Sequence, residues 1–321
     1  MKRMTDNYGR KIEYLRISVT DACNLRCSYC MPEDGPKGCP CKHTMKPDEI
    51  VEIASAAAEL GVKKLRITGG EPLVLDGLPE LVERLAAIKG IEDISLTTNA
   101  TLLAPLAERL YSAGIHRINI SLDTLDPVKY TQMTRGGRLS DALEGIRAAM
   151  KAGMSPVKLN TVLIGGFNDD EIETLCEITV HYPIELRFIE LMPIGDTAPF
   201  GKEAYLPNSA VLEKLPQLEP IPSESHSVAR LYKLPDAKGR VGLISPLSNH
   251  FCAECNRLRL TADGCLKPCL HSADEISVRN LHGEELKAAI LDAVSRKPQM
   301  HVALSATEHS CSQRNMYRIG G

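Results

Sequence analysis

A regular alternation of short strand patterns and amphipathic helix patterns over the first two-thirds of the chain constrains its fold more than any other feature. The first helix pattern, for example, puts Ile50, Ile53, Ala54 and Ala57 on one face at helical spacing. Repeated strand–helix units predict parallel strands joined by right-handed crossovers. The predicted strands are 14–20, 63–68, 91–98, 116–122, 156–163 and 184–191, and the predicted helices are 48–60, 78–88, 104–113, 139–152 and 169–179.

Six strand–helix units predict the architecture of the larger part of the chain. They form an α/β fold, an incomplete (β/α)6 barrel that is two units short of a complete barrel. The pattern ends near residue 200, and residues 216–226 are predicted to be a linker because they are rich in Pro and Ser. We therefore predict a barrel domain over 1–215 and a C-terminal segment over 227–321, which contains a helix near 283–295.

Polar and apolar side chains alternate along the predicted strands, so each strand has one polar face. In the first strand, Leu15 and Ile17 point one way and Arg16 points the other. Helices cover the outside of a barrel, so Arg16, Arg66 and Lys158 are predicted to face its interior. Unpaired buried cations are costly, so these charges either reach water at strand ends or line a hollow interior. Their repetition on several strands favours a hollow interior that binds an anionic ligand.

The composition disfavours several classes of partner. The chain of 321 residues has a net charge of -3, which gives no reason to expect nucleic acid or an anionic membrane as a partner. Aromatic residues make up 4% and Trp is absent, so stacking platforms for single-stranded nucleic acid are not expected. The sequence shows neither an apolar signal-peptide core near its start nor an apolar run of membrane-spanning length, so we expect a cytoplasmic protein.

The eleven cysteines are clustered, with five in 23–41 and four in 252–269. In a large cytosolic protein, clustered cysteines more often bind metal than form disulfides. Cys23, Cys27 and Cys30 form a C-x3-C-x2-C run directly after the first strand. Three thiolates on one loop can ligate three irons of a [4Fe–4S] cube and leave the fourth iron open to a small molecule. A three-cysteine zinc site is the alternative, although structural zinc prefers four ligands.

The first cysteine run resembles the signature of the radical S-adenosylmethionine (SAM) superfamily. Residues Thr68-Gly69-Gly70-Glu71-Pro72, after the second strand, are similar to the methionine-binding motif of that superfamily. The resemblance implies that the open iron binds SAM and that one electron cleaves SAM to a 5′-deoxyadenosyl radical. It also implies that Tyr29 helps to hold the adenine. Thr97 and Ser121 stand near the carboxyl ends of the third and fourth strands, where barrel active sites assemble.

The second cysteine group has the pattern C-x2-C-x13-C, formed by Cys252, Cys255 and Cys269, with Cys265 between them. Two alternatives are open from this spacing. Four cysteines can form a zinc ribbon, whereas three can hold a second [4Fe–4S] cluster with an open iron. Cys265 lies four residues before Cys269 and could replace it as the third ligand.

The second cysteine pattern resembles the second-cluster signature of the GTP 3′,8-cyclase family, whose reaction begins molybdenum cofactor biosynthesis. Arg257 and Arg259 follow the first two cysteines of this pattern and project from one face of an extended segment, a geometry suited to triphosphate oxygens. The resemblance covers the chain from Arg16 to Gly321. The matching motifs are Asn256-Arg257-Leu258-Arg259-Leu260, Asp263-Gly264, Arg187-Phe188-Ile189-Glu190-Leu191-Met192 and Gly320-Gly321.

The family resemblance implies roles for individual residues. Two [4Fe–4S] clusters are implied, with catalytic roles for the cysteines of the first and for the two arginines beside the second. The implied ligands of the clusters are Cys23, Cys27 and Cys30 for the first, and Cys252, Cys255 and Cys269 for the second. The implied SAM contacts are Tyr29, Gly70, Ser121 and Met192. The implied GTP contacts are Arg16, Arg66, Thr97, Lys158, Arg257, Leu258 and Arg259.

The resemblance also implies the reaction and its partners. The implied reaction is the radical cyclisation of GTP to 3′,8-cyclo-7,8-dihydro-GTP. The implied partners are an electron donor and a downstream cyclic pyranopterin monophosphate synthase. The protein is expected to be a monomer or homodimer that binds neither nucleic acid nor membrane. The C-terminal segment is expected to close the open side of the barrel. A radical SAM peptide-modifying enzyme and a zinc-binding interaction module remain as alternatives. Cys39 and Cys41 lie in a loop rich in Pro and Gly. Two alternatives remain open for this pair: it has no metal role, or it forms a further redox or metal site.

Overall fold

One continuous sheet forms the centre of the computed structural model, which describes residues 4–35, 44–194, 202–223, 227–301 and 310–320. Within these residues the sheet has twelve strands. They are β1 (Tyr14–Ser18), β2 (Lys64–Thr68), β3 (Asp93–Thr98), β4 (Arg117–Ser121), β5 (Val157–Leu163), β6 (Ile184–Glu190), β7 (Glu219–Ile221), β8 (Arg230–Lys233), β9 (Arg240–Ile244), β10 (Arg257–Leu260), β11 (Cys265–Lys267) and β12 (Ile276–Ser277). Their spatial order is β12-β11-β10-β1-β2-β3-β4-β5-β6-β9-β8-β7, so the sheet is open.

Strands β1 to β6 are parallel and adjacent in chain order, and helices connect them. The apolar side chains of these strands, such as Leu15, Ile17 and Leu65, are buried in one core with the apolar faces of the helices. The predicted α/β class and the open, six-unit arrangement are therefore confirmed. The helices are α1 (Pro47–Leu60), α2 (Leu78–Ala86), α3 (Ala107–Ala113), α4 (Pro127–Thr134), α5 (Leu139–Lys151), α6 (Ile172–His181), α7 (Ser209–Lys214) and α8 (Gly283–Ser295).

The C-terminal part of the chain extends the sheet at both of its edges. Strand β10 pairs parallel to β1, and β9 pairs parallel to β6. Each then carries antiparallel neighbours, β11 and β12 on one side and β8 and β7 on the other. Both edges of the six-strand sheet are thus covered by residues that follow β6 in the chain.

The linker predicted over 216–226 is wrong at Glu219–Ile221, which forms strand β7. This strand lies at the end of the sheet and pairs with β8 alone. Proline is tolerated in an edge strand, because one side of such a strand needs no backbone donor. Pro220 therefore does not prevent strand pairing, although its presence favoured the prediction of a linker.

The predicted helices do not include α4, although a local sequence signal explains why this helix begins where it does. The Asp126 carboxylate accepts hydrogen bonds from the backbone N–H groups of Val128 and Lys129, and Pro127 occupies the first turn. An Asp before a Pro is a recognised start signal for a helix. No helix in the described ranges combines the length and the apolar character needed to cross a bilayer.

Register between the parallel strands lines up polar side chains across the sheet. Arg16 of β1 stands beside Arg259 of β10 on one side and Arg66 of β2 on the other. A second row runs across β3, β4, β5, β6 and β9. Its members, in order, are Thr97, Asn119, Lys158, Glu185 and Arg240. Residues that face the same side at the same level form a continuous polar surface, which is the floor of the site described next.

Candidate active site: a cationic cavity lined by two cysteine groups

A cavity of about 480 Å³ lies against the polar face of the sheet. Both cysteine groups line it. All but one of the residues named from the sequence as ligands of SAM, GTP or iron also line it. Those lining residues are Arg16, Cys23, Cys27, Tyr29, Cys30, Arg66, Gly70, Thr97, Ser121, Lys158, Met192, Cys252, Cys255, Arg257, Arg259 and Cys269. The exception is Leu258, whose side chain is buried in the hydrophobic core.

The first cysteine loop follows β1 and is fixed by backbone hydrogen bonds. The N–H groups of Cys30 and Met31 both donate to the carbonyl oxygen of Cys27, at 2.9 and 3.0 Å, which forms a tight turn between two of the cysteines. Burial raises the pKa of the Cys23 thiol to about 11 and that of Cys30 to about 12. The free thiols are therefore protonated at neutral pH, and metal binding must displace their protons.

The Gly-Gly-Glu-Pro segment after β2 packs directly on the first cysteine loop. A Cβ at Gly70 would lie 2.3 Å from the carbonyl oxygen of Ala22, so no larger residue fits without moving the loop. The Glu71 carboxylate accepts hydrogen bonds from Thr98 Oγ1 at 2.6 Å and from the Asn99 N–H at 2.7 Å, which ties this segment to the end of β3. Burial raises the pKa of Glu71 to about 7.

Tyr29 is held in the cavity wall by Asp123, which stands two residues beyond β4. The Tyr29 hydroxyl donates to Asp123 Oδ2 at 2.8 Å, and the Val162 N–H donates to Asp123 Oδ1 at 2.8 Å. Burial raises the pKa of Asp123 to about 6. The contact fixes the orientation of the Tyr29 ring, for which the family resemblance implies a contact with the adenine of SAM.

The second cysteine group separates into two parts in the fold. Cys252, Cys255 and Cys269 line the cavity, whereas Cys265 lies in β11 opposite Ser277 and is not among the lining residues. The residues whose charges act on Cys265 are Asp263, Arg314 and Glu275, which belong to the C-terminal part of the chain. The geometry favours the three-cysteine alternative over the four-cysteine ribbon.

Among the described residues, no three His, Cys, Asp or Glu side chains come close enough together to hold a single metal ion. Cys39 and Cys41 lie outside the described residues. The fit of an iron–sulfur cluster is instead supported by the donor set itself, since three cysteines of each group line one cavity and thiolates are the ligands of such clusters.

Substitution of single cysteines tests which of them ligate the second cluster. Two cubane clusters imply about eight irons per chain after anaerobic reconstitution, so Cys269→Ser should retain about four and Cys265→Ser about eight. Iron and zinc analysis of both variants measures this. The reverse pattern would make Cys265 the ligand, and loss of iron in both variants would indicate four-thiolate ligation. About four irons and one zinc in the unmodified protein would indicate a zinc ribbon.

The arginines on the cavity floor form a group of like charges. Arg16, Arg66 and Arg259 stand side by side in register. Burial and the charge of Arg257 lower the pKa of Arg259 to about 10, and burial together with Arg259 and Arg66 lowers the pKa of Arg16. Adjacent buried cations destabilise a protein unless an anion joins them. The floor therefore fits a polyanionic ligand.

Several buried polar atoms on this surface lack a hydrogen-bond partner within the described residues. They are Arg66 Nε, Thr97 Oγ1 and Asn160 Oδ1, and all three residues line the cavity. A buried donor or acceptor without a partner costs free energy comparable to a lost hydrogen bond. A bound ligand with both donors and acceptors would satisfy these atoms, as a nucleotide can.

The C-terminal end of the chain enters the same cavity wall. The carbonyl oxygen of Gly320 accepts hydrogen bonds from Arg259 Nη1 at 2.8 Å and from Arg16 Nη2 at 3.0 Å. Gly320 has a φ of +73°, and a Cβ there would lie 2.4 Å from Thr68 Oγ1. A glycine is therefore required for this close approach. Gly321 lies outside the described residues.

An anionic residue that sequence reasoning missed stands among the cavity cations. Glu185 of β6 is 2% exposed and forms ion pairs with Lys158 at 3.2 Å, with Arg240 at 2.6 Å and with Arg187. Burial opposes ionisation of Glu185, but these three cations outweigh it and lower its pKa to about 2. Burial and the charge of Arg187 lower the pKa of Lys158 to about 8. No sequence motif marks Glu185, because the cations that pair with it come from three strands.

An open parallel sheet, a three-cysteine loop after its first strand and a polar cavity at that loop define a radical SAM enzyme. The family model "Radical SAM superfamily" matches residues 17–178, and the model "Molybdenum Cofactor Synthesis C" matches residues 184–303. The chain belongs to the GTP 3′,8-cyclase family. It is 49% identical over 322 residues to the GTP 3′,8-cyclase of Alkaliphilus oremlandii, covering 99% of this chain and 100% of that protein.

A further relative agrees with this family assignment, and a solved structure agrees with the fold. The GTP 3′,8-cyclase of Peptoclostridium acidaminophilum is also 49% identical, over 99% of this chain and 98% of its own length. The crystal structure of Streptococcus suis SuiB bound to S-adenosylmethionine aligns with a TM-score of 0.61 at 14% identity, over 91% of this chain and 66% of that one. At this identity the structural similarity supports the fold alone.

Proposed function

We propose that this protein converts GTP into 3′,8-cyclo-7,8-dihydro-GTP, the first step of molybdenum cofactor biosynthesis. One observation carries the proposal: a row of partly buried cations forms the floor of a cavity that two separate groups of three cysteines also line. Cations at this density suit a triphosphate, and the cysteines suit two iron–sulfur clusters. The relatives that match over their whole length are named for this reaction.

We propose that each of the two parts of the chain binds one of the two clusters. Residues 1–215 would hold the first [4Fe–4S] cluster through Cys23, Cys27 and Cys30, and residues 227–321 would hold the second. The ligands of the second would be Cys252, Cys255 and Cys269. When bound, the first cluster and SAM would supply a 5′-deoxyadenosyl radical that takes H-3′ from GTP, and the external electron donor would supply the electron that completes ring closure between C3′ and C8 of guanine.

The residues of the chain bind and orient the two small molecules. Arg16, Arg66, Lys158, Arg257 and Arg259 would neutralise the triphosphate and fix its position, with Thr97 and the backbone of Leu258 as further contacts. Charge-assisted hydrogen bonds from guanidinium groups are directional, so they hold the ribose at a fixed distance from the radical source. The proposed SAM contacts are Tyr29, Gly70, Ser121 and Met192.

Partners beyond GTP and SAM are part of the proposal. The reaction requires an electron donor, and its product would pass to a cyclic pyranopterin monophosphate synthase. We propose a cytoplasmic enzyme that acts as a monomer or a homodimer without nucleic acid or membrane.

Transfer of deuterium from substrate to cofactor tests the proposed reaction. GTP deuterated at the ribose 3′ carbon, incubated with SAM and dithionite, should give 5′-deoxyadenosine that contains the deuterium, because the radical takes that hydrogen. Mass spectrometry of the 5′-deoxyadenosine measures this, and GTP deuterated at C2′ is the matched control. Unlabelled 5′-deoxyadenosine, formed equally well without GTP, would show that GTP is not the substrate.

A further inference from the structure

Lys297 is a buried lysine just beyond the end of α8, and sequence reasoning did not identify it. The residue is 3% exposed. Its ammonium group donates to the carbonyl oxygen of Arg257 at 2.8 Å, to the carbonyl oxygen of Pro268 at 2.9 Å and to Cys255 Sγ at 3.6 Å. Within the described residues, no carboxylate forms an ion pair with it. Three acceptors match the three N–H bonds of an ammonium group.

The three acceptors of Lys297 belong to the segments that carry two of the cysteines in the second group. Cys255 is itself an acceptor, Arg257 is two residues beyond it, and Pro268 directly precedes Cys269. A buried ammonium is costly unless its donors are satisfied, so these contacts hold the two segments at a fixed separation. Burial lowers the pKa of Lys297, and the charges of Cys255 and Cys269 oppose that shift.

A second buried cation attaches the remaining cysteine to the same segment. Arg10 Nη1 donates to the carbonyl oxygen of Cys252 at 2.7 Å, and Arg10 Nη2 donates to the carbonyl oxygen of Pro298 at 2.6 Å. Arg10 is fixed by its ion pair with the buried Asp6. The short segment 297–298 is therefore linked by cations to Cys252, to Cys255 and to Pro268, which directly precedes Cys269.

We propose that Lys297 is a positioning residue for the second iron–sulfur cluster, and that it donates a charge-assisted N–H···S hydrogen bond to the Cys255 ligand. The inference rests on the proposed function, because it requires a cluster on Cys252, Cys255 and Cys269. Two consequences follow. The ligand segments keep their spacing through Lys297, and the positive charge stabilises the reduced, more negative state of the cluster. Charge and hydrogen bonds to sulfur are known determinants of cluster potential.

The experiment compares Lys297→Met, Lys297→Arg and a matched control, Lys287→Met, in the anaerobically reconstituted full chain. Lys287 lies on α8 and pairs with Glu59 and Glu284, on the surface and not at the cysteines. The midpoint potential of the second cluster is measured by redox titration followed by electron paramagnetic resonance. A variant with Cys23, Cys27 and Cys30 changed to Ala lacks the ligands of the first cluster, so its spectrum identifies the signal of the second cluster. Iron content and the Tm of the metal-free protein are measured in parallel.

We expect Lys297→Met to lower the midpoint potential of the second cluster, or to lose that cluster selectively while the first remains. Lys297→Arg should restore most of the wild-type behaviour, and Lys287→Met should match the wild type. Two intact clusters with an unshifted potential in Lys297→Met would overturn the inference. So would loss of both clusters with a strongly lowered Tm of the metal-free protein, since Lys297 would then serve the fold in general. A wild-type protein with one cluster would instead overturn the two-cluster proposal itself.

Discussion

Replacing both arginines beside the second cysteine group, in Arg257→Ala/Arg259→Ala, should abolish coupled cyclisation while slow cleavage of SAM continues. Each lost charge-assisted contact to the triphosphate should cost a few kcal/mol of transition-state stabilisation, or roughly a hundredfold in rate. Arg259 also donates to the carbonyl oxygen of Gly320, so its loss removes one of the two hydrogen bonds to that oxygen and leaves the one from Arg16. SAM cleavage should persist because the first cysteine loop does not depend on these contacts.

Two separate assays measure the uncoupling. Liquid chromatography quantifies 5′-deoxyadenosine for SAM cleavage and the cyclised nucleotide for the full reaction. Arg138→Ala is the control, since Arg138 is largely exposed and pairs with Asp141 on the surface. Full cyclisation by the double variant would remove these arginines from the mechanism. Equal loss of both activities would point to damage at the first cluster.

The second large effect is expected from Glu185→Gln, which removes the anion from among three cavity cations. Removing one partner of a buried ion pair typically costs about 3–5 kcal/mol, because the remaining charge is left without compensation. Here Lys158, Arg187 and Arg240 would remain. The pKa of Glu185, about 2, lies below its ordinary value, so its stabilisation is fully present at neutral pH and is lost only as pH falls toward that value. We therefore expect a clearly lower Tm at pH 7.

Added GTP distinguishes this electrostatic effect from a packing defect. A triphosphate supplies the missing negative charge, so saturating GTP should raise the Tm of Glu185→Gln by more than it raises the Tm of the wild type. Glu92→Gln is the control, because Glu92 forms an exposed ion pair with Lys63, and solvent-exposed pairs contribute little to stability. An unchanged Tm in Glu185→Gln, or equal stabilisation of both proteins by GTP, would contradict the proposed role of this carboxylate.

The fold was predictable wherever the pattern was local. All six predicted strands contain the observed strands β1 to β6, because alternation of polar and apolar residues is a property of a few consecutive positions. Helix α8 was likewise expected. Strand β7 and helices α4 and α7 were not predicted, because Pro220 gives β7 the composition of a turn and the two helices are short, with eight and six residues. The C-terminal strands have weak patterns because they are short.

The candidate site was predictable in part. The Cys23–Cys30 run and the polar strand faces gave a set of residues that the structure brings to one cavity. The choice between Cys265 and Cys269 was open from spacing alone, and it depends on which of them faces the cavity. Glu185 and Lys297 carried no motif. Their importance comes from partners on other strands and loops.

The sequence by itself determined the order of strand–helix units, the open parallel sheet and the presence of two cysteine groups with the spacing of cluster ligands. These features depend on residues close together in the chain. The tertiary structure alone decided that Arg16, Arg66 and Arg259 stand side by side, and that Lys297 reaches Cys255. Such contacts depend on the register and packing of segments separated by up to hundreds of residues, and no local periodicity encodes that register.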